Sequence, residues 1–132
     1  MNREYIKEML AKKVWAVIGA TPNTEKTANH ILHMLIDHGY QVYAVNPNYD
    51  EIAPGIKCYK SIADLPVVPE CIDFVIPPKV SLENLKALDS SKTPYVWLQP
   101  GTFDDEVVAY ADAHGFKAIH GGPCVMVELR LG

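Results

Sequence analysis

The sequence predicts a doubly wound α/β fold: five parallel strands with helices on both faces. Two observations carry most of that prediction. Short apolar runs alternate with amphipathic helical patterns, and each run is bounded by Gly, Pro, Asn or Asp. The first run, Val14-Trp15-Ala16-Val17-Ile18, also stops at Gly19 and passes through a polar turn into a helical pattern near Glu25. Such alternation implies a parallel sheet covered on both sides. The expected strand order is 3-2-1-4-5, half of a doubly wound sheet extended by one unit.

The elements follow in chain order. Residues 1–13 are mixed in charge and read as an amphipathic helix, not a signal peptide. After the first strand, residues 26–38 set Ile31, Leu32, Leu35 and Ile36 on or beside one helical face, with Gly39 as a stop. The second strand is Gln41–Val45. A longer connection then carries Pro47, Pro54, Pro66 and Pro69, with one helical turn expected at residues 61–65. The third strand is residues 72–76, followed by a helix over 80–88 and a fourth strand, Tyr95–Leu98. The last helix, 104–114, opens on Asp104, Asp105 and Glu106 and ends before Gly115, which suits the helix dipole and a glycine cap. The fifth strand is Lys117–Ile119. No repeat, linker or low-complexity segment divides residues 1–132, which read as a single domain.

Composition narrows the function. A chain of 132 residues can bury a real core but is short for an enzyme with a separate substrate domain. It is 48% hydrophobic and 21% charged, as soluble globular proteins are. A net charge of −4 argues against general attraction to nucleic acid or anionic membranes, so a bound anion must be held by local geometry. No apolar run approaches the roughly 18 residues that span a bilayer. Cys58, Cys71 and Cys124 are odd in number and lack metal spacing, which suits the reducing cytoplasm.

Ligands on such sheets bind beyond the carboxyl ends of the strands, where the strand order reverses. The first loop, Gly19-Ala20-Thr21-Pro22-Asn23-Thr24-Glu25-Lys26, offers backbone N–H groups, hydroxyls, an amide and one ammonium at a helix start, the donor set a phosphate needs. Asn23 or Thr24 could equally cap the helix. A dinucleotide fingerprint would place two more glycines after Gly19, and residues 20–26 contain none. After the second strand, Val45-Asn46-Pro47 puts a neutral amide where a NAD site has an acid for the ribose; a plain Asn-Pro turn is the alternative. Ile76-Pro77-Pro78-Lys79 could present a stiff apolar surface to a flat base, or could simply end the strand and start a helix. Gln99, at the end of the fourth strand, is expected to point a donor and an acceptor towards the cleft, while Trp97 is expected in the core.

Catalytic signals are few. No Ser-His-Asp arrangement is visible, and His30, His33 and His38 lie around one helix without a third metal ligand. His120 and Cys124 are the one candidate nucleophile-and-base pair, weighed against a small buried thiol.

From Val14 to Leu131 the chain resembles the CoA-binding domain family, a Rossmann-like module similar to the N-terminal domain of the succinyl-CoA synthetase alpha subunit. The resemblance rests on Ala16-Val17-Ile18-Gly19-Ala20-Thr21 with Asn23 and Lys26, and on His38-Gly39-Tyr40-Gln41-Val42-Tyr43-Ala44-Val45-Asn46-Pro47. Gly55 with Tyr59, Ile72-Asp73-Phe74-Val75-Ile76-Pro77-Pro78, Val96-Trp97-Leu98-Gln99-Pro100-Gly101 and Cys124-Val125-Met126-Val127-Glu128 complete it. It implies coenzyme A with its phosphates against residues 19–23 and Lys26, its ribose near Val45, Asn46 and Pro47, and its adenine flanked by Ile76 and Pro77. Asn48 stands where many small single-domain relatives carry a basic residue. The synthetase's phosphorylated histidine lies in a second domain, so ligase activity is not implied. The expected function is therefore binding of CoA or an acyl-CoA as a stand-alone module, with homodimerisation open. The alternatives are an acyl- or thiol-transfer enzyme using Cys124 and His120, and a sensor of NAD(H).

Overall fold

A computed structural model describes residues 2–122 and 124–131, so Met1, Pro123 and Gly132 lie outside the described residues. The elements are α1 (Asn2–Leu10), β1 (Val14–Ile18), α2 (Thr27–Asp37), β2 (Gln41–Val45), β3 (Glu51–Ala53), β4 (Ile56–Tyr59), β5 (Cys71–Phe74), α3 (Pro78–Lys86), β6 (Tyr95–Leu98), α4 (Asp105–Ala113), β7 (Lys117–Ile119) and α5 (Val125–Leu131). A 3-10 turn, Ile62–Asp64, follows β4.

The α/β class and the largely parallel sheet hold, but the strand count and order are corrected. Among the described residues seven strands form one sheet in the order β3-β4-β2-β1-β5-β6-β7. All neighbouring pairs are parallel except β3 with β4. The expected order 3-2-1-4-5 put the strand at 72–76 at the edge beyond β2. In fact β5 lies on the other side of β1, with Trp15 opposite Cys71, and β4 takes the place beside β2. The prolines in this connection mask a hairpin. Ala53 pairs with Ile56 across Pro54-Gly55, and Gly55 has φ +86, the positive value that follows proline in a type II turn. The buried Ile52 and Cys58 anchor the hairpin's two strands to the core. Counting β4 as the third parallel strand restores the doubly wound order, with the reversal at β1.

Side chains alternate across the strands and divide the core in two. Trp15, Val17, Trp97 and Ile119 pack beneath α1, α2 and α5, against Met9, Ile31, Leu35 and Leu129. Ala16, Ile18, Ile72, Phe74, Val96 and Leu98 pack beneath α3 and α4, against Leu85, Val107 and Ala111. Trp97 is core, as expected, with its ring 6.4 Å from that of Trp15. Two helix starts show what the sequence encodes locally. Asp104 caps α4 by accepting from the Val107 N–H at 3.0 Å. Pro78 occupies the first turn of α3, where its missing N–H is harmless, so that helix begins two residues before the expected 80. Helix α5 carries no element foreseen in the sequence. No helix among the described residues is long and apolar enough to cross a membrane.

Candidate functional site

The order reversal places the ends of β2, β1 and β5 side by side, and a cavity of about 440 Å³ opens there. Ile18, Val45, Ile76 and Val80 give it apolar surface. Asn46, Pro47, Asn48, Lys60 and Ser61 line it from the β2–β4 side, and Glu83 and Asn84 from α3. Of the expected residues, Gly19, Val45, Asn46, Pro47 and Ile76 thus come together at one opening. Asn48, noted above for its lack of a basic side chain, joins them; Lys60, Ser61, Val80, Glu83 and Asn84 were missed, because they follow the unrecognised β4 or lie on a helix face with no distinctive spacing.

Gly19 is fixed by sterics. Its φ is +94, and a Cβ there would lie 2.2 Å from the Val75 carbonyl oxygen and 2.8 Å from Ile76 Cγ2. Only glycine lets the β1 and β5 loops approach this closely. Its N–H donates to the Val45 carbonyl at 2.9 Å, and the buried Ala20 N–H reaches the same oxygen at 3.3 Å. Asn46 joins the loops. Its side-chain amide donates to the Ala20 carbonyl at 2.8 Å, and its side-chain oxygen accepts the Asn48 N–H at 2.9 Å. The turn alternative holds: Asn46 forms an Asx turn, and the residue also lines the cavity.

The segment from Thr21 to Lys26 is stapled internally. Thr21 Oγ1 accepts from the Asn23 N–H at 3.2 Å, and Asn23 Oδ1 from the Glu25 N–H at 3.0 Å. Asn29 Nδ2 donates to the Thr21 carbonyl at 2.9 Å, and the His30 ring nitrogen meets the Thr24 carbonyl at 2.6 Å. Neither Asn23 nor Thr24 caps α2. Lys26 holds the cap position without a side-chain bond, and no described residue accepts the Thr27 or Ala28 N–H. Pro22, Asn23, Lys26 and Thr27 are exposed while Ala28 is buried, so the Thr27 N–H and the Lys26 ammonium meet at an open helix start.

Pro77 and Pro78 do start a helix, with Pro77 as the cap residue of α3. Together with Val75, Ile76, Pro100, Gly101 and Thr102 they also line a second, shallower concavity that shares Ile76 with the first. Gln99 requires a correction. It lines neither concavity and is 3% exposed. Its Nε2 donates to Asp73 Oδ1, and its Oε1 accepts the Val125 N–H at 3.4 Å. The strand alternation turns Asp73 towards the α5 side, and burial pushes its carboxyl up to about 8 against the Gln99 hydrogen bond, which lowers it. The amide of Gln99 is therefore occupied in joining β5 to the first turn of α5.

The Cys124–His120 pair gains no support. Burial raises the Cys124 thiol, with Asp73 adding to the rise, the opposite of what a nucleophile needs. His120 packs edge-on to Phe103 at 5.7 Å. Cys58 and Cys71 are buried free thiols, both raised chiefly by desolvation. No group of three or more His, Cys, Asp or Glu able to hold a metal occurs among the described residues.

The sequence pattern of a family described as CoA binding domain matches residues 13–130. The chain belongs to this CoA-binding domain family. It is 39% identical over 124 residues to the ADP-forming acetate–CoA ligase I of Archaeoglobus fulgidus, a match covering 86% of this chain but 18% of the ligase. The CoA-binding domain thus spans under a fifth of that relative's length. Among solved structures it superposes on a hypothetical protein from Pyrococcus horikoshii OT3 with TM-score 0.88 at 33% identity, covering 100% of this chain and 93% of the other. A conserved hypothetical protein from Pyrococcus furiosus gives TM-score 0.80 at 40% identity, covering 88% and 98%. In this CoA-binding domain the cavity between β2, β1 and β5 is the concavity that the fold's order reversal creates.

Proposed function

We propose that this domain binds coenzyme A or an acyl-CoA, as a stand-alone module and without catalysis of its own. The observation that carries the reading is the cavity at the order reversal, apolar at Ile18, Val45, Ile76 and Val80 and polar at its rim. The adenosine part lies there, with the ribose near Val45, Asn46 and Pro47 and the base against Ile76 and Pro77. The diphosphate lies against Gly19, Thr21, Pro22 and Asn23 and meets the Thr27 N–H and Lys26, whereas Ala20, buried with its N–H and carbonyl both bonded, supports the loop from beneath. Uncapped N–H groups at a helix start favour an anion, and Lys26 adds a full charge to the partial charge of the dipole.

Two observations weigh against the alternatives. A sensor of NAD(H) would want an acid for the ribose hydroxyls at residue 46, where the neutral Asn46 stands with its oxygen on the Asn48 N–H. A transfer enzyme would need a thiolate, and burial keeps the Cys124 thiol protonated at neutral pH. The test is a thermal melt with millimolar CoA, dephospho-CoA or NAD. CoA raises the midpoint, and the other two do so less, since a ligand that binds only the folded state stabilises it in proportion to its saturation. No shift with CoA would sink the proposal.

A further inference from the structure

The cavity at the order reversal has two chemically different walls. Sheet order sets them apart, because β4 and α3 reach the opening from opposite sides of the β2–β1 pair. The α3 wall brings Glu83 and Asn84. Asn84 Nδ2 donates to the Val80 carbonyl at 2.9 Å, which leaves its side-chain oxygen as an acceptor beside the Glu83 carboxylate. This wall repels phosphate and suits a donor such as an exocyclic amine. The β4 wall brings Asn48, Lys60 and Ser61. Lys60 is the one cation among the described residues that line this cavity.

Lys60 is held in place before any ligand arrives. Its ammonium lies 2.8 Å from Asp50 Oδ1 and donates to the Tyr49 carbonyl at 3.3 Å. The hydrogen bond and charge of Lys60 hold the Asp50 carboxyl below the usual range, so this carboxylate stays ionised at neutral pH. An ammonium has three N–H donors, and these two contacts leave one for a ligand. The Ser61 hydroxyl already donates to Asp64 Oδ2 at 3.1 Å, so its oxygen can still accept but the charge must come from Lys60.

We propose that Lys60 is the specificity-determining residue for the ribose: it binds a monophosphate on the sugar and selects CoA over dephospho-CoA. The inference rests on the CoA reading above and supplies the cation that Asn48 lacks. A nucleotide with its base towards α3 and its diphosphate towards α2 turns the ribose to the β2–β4 side, where a phosphate on the sugar reaches Lys60. Two anchored contacts remove much of the side-chain freedom that a lone surface lysine would lose on binding.

The test is calorimetric titration of CoA and dephospho-CoA into the wild type, Lys60→Met and Lys92→Met at low salt. Lys92 is an exposed lysine outside the cavity and controls for net charge. The wild type and Lys92→Met prefer CoA by about tenfold, the size of one charge-assisted contact at a partly exposed site. Lys60→Met weakens CoA alone, bringing the two ligands within about twofold, and 0.5 M salt narrows the wild-type preference in the same way. The inference is overturned if Lys60→Met keeps the preference, if it weakens both ligands alike, or if the wild type binds both equally. A wild type that binds neither nucleotide overturns the CoA reading itself, so the two failures are distinct.

Discussion

Two polar clusters sit at the carboxyl end of the same sheet, yet they face opposite fates. Around Gly19, Asn46 and Ile76 the loops part, and a cavity with Lys60, Ser61, Glu83 and Asn84 in its lining opens there. One strand away, Asp73 and Gln99 are buried beneath the first turn of α5, bonded to each other and to the Val125 N–H. Position at the end of a strand is shared, so position alone does not make a ligand site. What separates the two is the order reversal. At β1 the flanking connections run to opposite faces and leave a gap. At β5 and β6 the chain following β7 folds back, and α5 closes the gap.

The largest expected effect comes from breaking the open side. Gly19→Val puts a side chain into the Val75 carbonyl at a backbone angle that valine avoids. It should cost about 2–4 kcal/mol of stability and abolish CoA binding, read by denaturant melts and calorimetry.

The next concerns the closed side. The Asp73 carboxyl is pushed up to about 8 in the fold, above its unfolded value of roughly 4. Between those values the folded protein keeps a proton that the unfolded chain has released. Stability is therefore highest at the acid end of this window and falls as pH rises through it, by on the order of a few kcal/mol. Urea melts across pH should show that slope in the wild type and a much flatter one in Asp73→Asn. A wild-type curve that rises from pH 5 to 8 in step with the variant would contradict a buried neutral carboxyl.

Asn46→Ala and Gln99→Ala sharpen the contrast. Each removes a side chain that joins two loops, and each should cost about 1–3 kcal/mol. Asn46→Ala also weakens CoA severalfold, because it unties the cavity wall, whereas Gln99→Ala leaves the affinity within about twofold. Equal loss of affinity in both would erase the distinction between the clusters. The smallest effect is expected at Cys124. Cys124→Ser should leave CoA affinity unchanged, and the wild-type thiol should alkylate slowly at pH 7.

The sequence made the open side legible because its chemistry is local. An apolar run ending at Gly19, a neutral Asn46 and the Ile76-Pro77-Pro78 sequence all lie within a few residues of a strand end. Lys60 was not legible, since its place depends on β4, and Pro54-Gly55 reads as a loop unless the turn type is matched to Ile52 and Cys58 as core residues. Gln99 was misdirected for another reason. Strand ends show which residues reach the sheet edge, but not what folds back over them, and α5 lies 26 residues further on. The α3 start is the opposite case: its signal is local, and Pro78 takes the first helical turn as the Pro77-Pro78 pair allows.

Hydrogen exchange of the domain with and without saturating CoA tests the central claim most directly. CoA should slow exchange in residues 19–28, 46–48, 60–61 and 76–84 and leave it unchanged in residues 99–102 and 125–129. Protection centred on the Gln99 and Val125 segments, or no protection anywhere, would contradict it.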